Sequence, residues 1–212
     1  MTDATDATDA HDTGGLSPRL ARILDFLLYV DRFKAIERVG YLADNSRRET
    51  DSDHAWHMAL YAVLLHGEIG FEADLAHALC LVLVHDLVEI HAGDTYAYDD
   101  AGRAGQAARE AEAADRLFAR LPDDLRDRVH GWWREFEDGT TPEARFARAL
   151  DRLQAFGQSV LSGGRAWREN DVSRAQTRER MQPALDADPA IRALVEHLYA
   201  RAEAADMWPR RE

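Results

Sequence analysis

Apolar positions recur along most of this chain at three- and four-residue intervals, the period of one face of an α-helix. Ser17-Pro18 supplies an N-cap followed by proline at the first helical position, and Leu20, Ile23, Leu24, Leu27 and Leu28 follow at helical spacing. A second helical or loosely helical stretch is expected up to Val39-Gly40. The polar run Asp44–Thr50 then connects to a helix that starts near Asp51 to Asp53 and ends at Gly67. A third helix is expected from Asp74. Its residues Leu79 to Val84 are apolar nearly all round, which suits the middle of a bundle. The β-branched Val82 and Val84 would also fit a buried strand, but the flanking residues continue helically.

Gly93 and residues 94–101 read as a loop, and 103–120 as a strongly helical Ala-, Arg- and Glu-rich segment. Pro122 opens another helix, with Asp123 and Asp124 where negative charge suits the helix dipole. Thr141-Pro142-Glu143 repeats the cap-then-proline signal for a helix running to Gly163-Gly164, and two more helices follow, broken near Asp186–Pro189. No convincing period-two run is present. The pattern predicts an all-α, single-domain multi-helix bundle over residues 17–212. Residues 1–16 form an acidic tail, with Asp3, Asp6, Asp9 and Asp12 and no apolar face, expected to be disordered.

Composition narrows the chemistry. The 212 residues carry a net charge of −13. Such a balance disfavours a nucleic-acid polymer or an anionic membrane as main partner, although one local arginine or a metal can still create an anion site. No run of eighteen apolar residues and no basic-then-apolar leader is present, so a cytoplasmic protein without a membrane span is expected. The single cysteine, Cys80, allows neither an intrachain disulfide nor a cysteine zinc site, and inside the apolar helix it reads as an inert thiol. No nucleophile-elbow, phosphate-loop, dinucleotide-fingerprint or H-E-x-x-H pattern occurs.

One stretch breaks the apolar pattern. In L-V-L-V-H-D-L-V-E-I-H-A-G-D, residues 81–94, five polar groups interrupt the most apolar part of the chain: His85, Asp86, Glu89, His91 and Asp94. Burying such groups is costly unless they are paired or bind a metal. They mark either a helix end reaching solvent or a metal site inside the bundle. His85 and Glu89, at i and i+4, would share a helical face. Further ligands could come from His54 and His57 on the preceding helix or from later acidic residues. Asp151, between Leu150 and Leu153, could equally sit on a solvated face beside Arg148 or Arg152.

The set His54 … His85-Asp86 … Asp151 resembles the H…HD…D pattern of the HD-domain metal-dependent phosphohydrolases. The stretches D-S-D-H-A-W-H and H-D-L-V-E-I-H-A-G-D resemble the 5′-deoxynucleotidase subgroup, which includes proteins called HD domain-containing protein 2. Every fixed position of that subgroup's H-D-x-x-E-x-x-x-G-D pattern is present. The resemblance covers about residues 18–165. It implies an all-α fold and one divalent ion held by His54, His85, Asp86 and Asp151, with a catalytic role for Glu89 and a supporting one for Asp94. It also implies a phosphate-binding arginine, Arg38, with Arg47 as the competing choice. Two imidazoles and two carboxylates accept Mn, Co, Fe, Mg or Zn alike.

The expected reaction is hydrolysis of a small phosphomonoester, such as a nucleoside or deoxynucleoside 5′-monophosphate, by a metal-activated water. Its rivals are phosphodiester or guanosine tetraphosphate hydrolysis, a di-iron HD oxygenase and a non-catalytic regulatory role. The oxygenase would need two further histidines, and only His91 and His130 lie in the right interval. The resemblance also implies a homodimer. Trp132-Trp133 read as packing residues, against the bundle or a partner subunit. The row Arg145, Arg148, Arg152 reads as a solvated helix face. His66, His77 and His197 read as surface or interhelical groups.

Overall fold

The computed structural model describes residues 15–210. The acidic tail therefore lies, apart from Gly15 and Leu16, outside the described residues. Helix α1 (Pro18–Tyr29) starts as expected, with the Ser17 hydroxyl accepting from the Leu20 amide. A six-residue 3-10 turn, Val30–Ala35, follows. The next segment departs from the helical expectation: β1 (Glu37–Tyr41) pairs antiparallel with β2 (Arg48–Thr50). The pairing is Glu37 with Thr50 and Tyr41 with Arg48, so the three residues Arg38, Val39 and Gly40 oppose the single Glu49. A bulge of this kind bends its strand and re-aims a side chain, here Arg38. These strands are too short and too polar to leave a period-two signature.

The remaining elements are helical. They are α2 (Asp51–Leu65), α3 (Leu75–Val84), α4 (Glu89–Ala92), α5 (Asp100–Arg103) and α6 (Gln106–Phe118). Next come α7 (Asp123–Asp138), α8 (Pro142–Leu161), α9 (Arg165–Glu169), α10 (Arg174–Ala187) and α11 (Pro189–Ala204). The all-α expectation holds but for the small sheet. Helix α2 opens with a capping box: Thr50 accepts from the Asp53 amide while the Asp53 carboxylate accepts from the Thr50 amide.

Helix α8 is the axis of the bundle, packed by α2, α3, α7, α10 and α11. Its residues Phe146, Leu150, Leu153, Phe156 and Val160 are buried at helical spacing in the main core. Leu150 is fully buried, so truncating it to alanine should cost about 2–5 kcal/mol. A second cluster (Phe26, Val88, Leu117, Phe118, Trp133) ties α1, α6 and α7 to the segment after α3. Trp132 and Trp133 pack against these two cores respectively, so both serve the chain's own interior.

The apolar run Leu75–Ala92 has a mean hydropathy of 1.5, apolar enough by composition for a membrane helix, yet it is not one helix. The α-helical ladder stops with His85 bonded to the Leu81 carbonyl. Three-residue bonds follow, from Leu87 to Val84, Glu89 to Asp86 and Ile90 to Leu87. That 3-10 geometry corrects the expected i, i+4 face. Residues three apart eclipse one another in such a turn, so Asp86 lines up with Glu89.

Candidate metal centre

Three elements deliver the converging groups: α2 brings His54, the turn after α3 brings His85 and Asp86, and α8 brings Asp151. His54 is fully buried, and its Nδ1–H donates to the Gln154 side-chain carbonyl. The Gln154 amide in turn donates to Glu49 at 2.8 Å. The His85 Nδ1–H donates to the Val82 carbonyl at 2.8 Å. Each imidazole therefore commits its Nδ1 proton to a fixed acceptor and turns Nε2 inward.

Both Nε2 atoms are buried without a hydrogen-bond partner among the described residues. They face carboxylates instead. Asp86 Oδ2 lies 3.0 Å from His85 Nε2 and 3.8 Å from His54 Nε2, and Asp151 Oδ1 lies 3.3 Å from His54 Nε2. Two imidazole lone pairs and two carboxylates turned toward one another require a cation among them. Without a metal the cation is a proton: against the opposing effect of burial, Asp86 and then Asp151 carry the His85 pKa up to about 9. The same groups fit a divalent ion, which would displace that proton. His54, His85 and Asp86 each offer a ligand atom within 4.8 Å of the others, and Asp51, Asp86 and Glu89 form a second such group.

Around these donors lies a cavity of about 590 Å³ lined by Arg38, Glu49, Glu89 and Asp94 among others. Arg38, aimed inward by the bulge, donates to Asp86 at 2.9 Å and to Asp51 at 3.2 Å. Burial, followed by the charge of Asp86 and the neighbouring Asp51, pushes the Glu89 carboxyl far above the usual range. Burial likewise raises Asp94 to about 6, with Arg38 pulling it down and Asp51 and Asp86 adding to the rise.

Other residues fall outside this centre. Arg47 pairs with Asp53 at 2.6 Å, half exposed, and does not line the cavity. His57 meets Gln154, Trp56 and Tyr61. His91 contacts Tyr29, and His130 contacts Asp115, Phe118 and Trp133. Neither of the two histidines a di-iron oxygenase would need reaches the centre. His66 Nε2–H donates to the Ala73 carbonyl, His77 meets Glu135, and His197 is exposed, as expected of peripheral groups. The arginine row splits. Arg145 is exposed, whereas Arg148 and Arg152 line the cavity and correct the expectation of a solvated face.

Sequence reasoning missed Asp51, Glu49, Gln154 and Arg180. Gln154 had a signal: it follows Asp151 by three residues inside the most apolar face of its helix. Asp51 looked like an ordinary acidic residue at a helix start. Glu49 and Arg180 had no local mark.

The family profile described as HD domain matches residues 30–192. The chain is 33% identical over 146 residues to 5′-deoxynucleotidase HDDC2 of Bos taurus, covering 68% of this chain and 70% of that one. It is 31% identical over 138 residues to the Homo sapiens protein of the same name, covering 65% and 66%. A crystal structure described as a predicted metal-dependent phosphohydrolase from Magnetospirillum magnetotacticum superposes with a TM-score of 0.84 at 35% identity, over 91% of this chain and 96% of that one. With the matched span taking in His54, His85, Asp86 and Asp151 alike, this chain belongs to the HD-domain family.

Proposed function

We propose that this protein is a metal-dependent phosphohydrolase that releases phosphate from a deoxynucleoside 5′-monophosphate. The observation that carries the reading is the pair of buried, unpartnered Nε2 atoms facing Asp86 and Asp151. The names of the similar proteins supply the substrate class. His54, His85, Asp86 and Asp151 would hold one divalent ion, for which Mn, Co, Fe, Mg and Zn are the candidates. Such an ion supplies an acidified water and polarises a phosphoryl oxygen.

The chain's own residues do the rest. Arg38 donates to the phosphate oxygens, an arrangement a guanidinium can make through two bonds at once. Glu89 takes the proton of the attacking water. Its reluctance to ionise comes in part from the charge of Asp86 beside it. With Asp86 committed to a cation, Glu89 can cycle between base and acid. The proton it accepts is returned to the leaving sugar oxygen, so water is added across the P–O bond and the site ends as it began. Asp94 adds a negative charge near Arg38 on the cavity wall, a supporting role.

Two rows of exposed apolar side chains support a homodimer: Leu20, Leu24, Leu27 and Leu28 on α1, and Trp56, Leu60, Val63 and Leu64 on α2. Sedimentation should show twice the chain mass, and a monomer at micromolar concentration would contradict it. The activity is tested by phosphate release from deoxy- and ribonucleoside 5′-monophosphates with each of the five metals. Release from the deoxy compounds is expected, and none with any metal would refute the reading.

A further inference from the structure

Beyond Asp151 the cavity wall is made by α8 and α10, and it carries Arg148, Arg152 and Arg180. Arg148 is committed to the fold. It donates to the Phe136 carbonyl at 2.9 Å and to the Glu137 carbonyl, closing the end of α7. Gly139 sits there at φ +62°, and an added Cβ would meet Arg148 Cδ at 2.9 Å. Arg152 and Arg180 are not committed in that way. Arg152 donates to the Arg148 carbonyl at 2.9 Å, and its Nε is buried with no partner. Among the described residues, neither Arg152 nor Arg180 has a carboxylate within ion-pair distance, and Arg180 has no side-chain hydrogen bond.

The charged groups that face Arg152 are Asp151, Arg180, Arg148 and Glu137. Asp151 is the nearby candidate for a counter-charge, but the metal reading assigns it to the ion. Two guanidiniums beside a cation centre then call for an anion from outside the protein. The cavity, at about 590 Å³, lies in the range that encloses a small organic ligand.

We propose that Arg152 and Arg180 form an anion subsite for a second phosphate group on the nucleotide. The proposal rests on the phosphohydrolase reading, which places the 5′-phosphate at Arg38 and the metal residues. The strongly anionic group a nucleotide can add to that is another phosphate. It can extend the 5′ chain, as in a diphosphate, or sit on the 3′ oxygen, as in a 3′,5′-bisphosphate.

The test is equilibrium binding by calorimetry, using Mn-loaded Glu89→Gln protein so that nothing is consumed. The probes are a deoxynucleoside 5′-monophosphate, its 5′-diphosphate and its 3′,5′-bisphosphate. At least one doubly phosphorylated compound should bind ten or more times more tightly than the monophosphate, and which one does so places the second phosphate. Adding Arg152→Gln or Arg180→Gln should bring that ratio close to one, with Arg180→Lys retaining part of it. Manganese content and melting temperature confirm that each variant is folded and loaded. Equal binding of all three compounds would overturn the proposal. So would variants that weaken the monophosphate as much as the others, since the arginines would then merely balance Asp151. If the wild-type protein hydrolyses no phosphate ester, the function reading fails on its own, while the binding ratio still decides the subsite.

Discussion

On the wall that carries His54, His85 and Asp86, each side chain is held by a second group before anything binds. Gln154 stands behind His54, the Val82 carbonyl behind His85 and Arg38 beside Asp86. On the wall that carries Arg152 and Arg180, the Arg148 carbonyl holds one end of Arg152, Arg180 has no side-chain hydrogen bond among the described residues, and the buried Arg152 Nε points at no acceptor. The difference is between a site fixed by the chain and a site left for the ligand to complete. Pre-set imidazoles and carboxylates spare a metal the cost of ordering them. Unpaired guanidiniums leave charge available for recognition.

The sharpest way to break the fixed wall is at the group placed for proton transfer. Glu89→Gln should retain metal and lower kcat by about 10²–10⁴, the usual range for a general acid–base residue. Loss of metal to the same degree would instead make Glu89 a ligand. Next comes the arginine that borders both the metal residues and the cavity. Arg38→Ala should lower kcat/KM on a monophosphate by roughly ten- to a hundredfold, the equivalent of one charge-assisted contact. Arg38→Lys should recover part of it, and Arg47→Ala should stay within about twofold, because it is half exposed and pairs with Asp53 outside the cavity. The reverse order in steady-state kinetics would move the phosphate site to Arg47.

Behind the first ligands, Gln154→Leu removes the acceptor that fixes the His54 tautomer. Metal affinity should fall about 10–100-fold in a metal titration, with the fold retained. An unchanged affinity would mean that packing alone orients the ring. The smallest effect lies outside both walls. Asp53→Asn weakens the α2 cap by about 1 kcal/mol. Arg47 hydrogen bonds, helped by Thr50 and opposed by burial, hold the Asp53 carboxyl down at about 2. That stabilisation is complete above the ordinary aspartate value of about 3.9 and is lost as pH falls toward 2. The melting-temperature gap to the variant should therefore be full at pH 5 and shrink below about pH 4.

The two walls also differ in how they could be read from the chain. His85, Asp86 and Glu89 were visible because polar groups inside an apolar run demand an explanation, and His54 and Asp151 followed from the family pattern. The helix starts at Pro18 and Pro142 were visible through their cap-then-proline signals. The β1–β2 pair was not, since strands this short, interrupted by a bulge, carry no alternation. Nor was the 3-10 turn that aligns Asp86 with Glu89, because the apolar run continues across it. Arg152 and Arg180 were invisible for a different reason. An arginine on an amphipathic helix looks the same whether it faces solvent or a cavity, and only the packing of α8 against α10 decides.

The central claim is that residues from α2, the turn after α3, and α8 make one metal centre. Elemental analysis of the purified wild-type protein and of Asp151→Ala, each dialysed against the same divalent metal, tests it most directly. The account predicts one ion per wild-type chain and a large loss of that ion in the variant, with the fold intact by circular dichroism. Full occupancy in Asp151→Ala would contradict it.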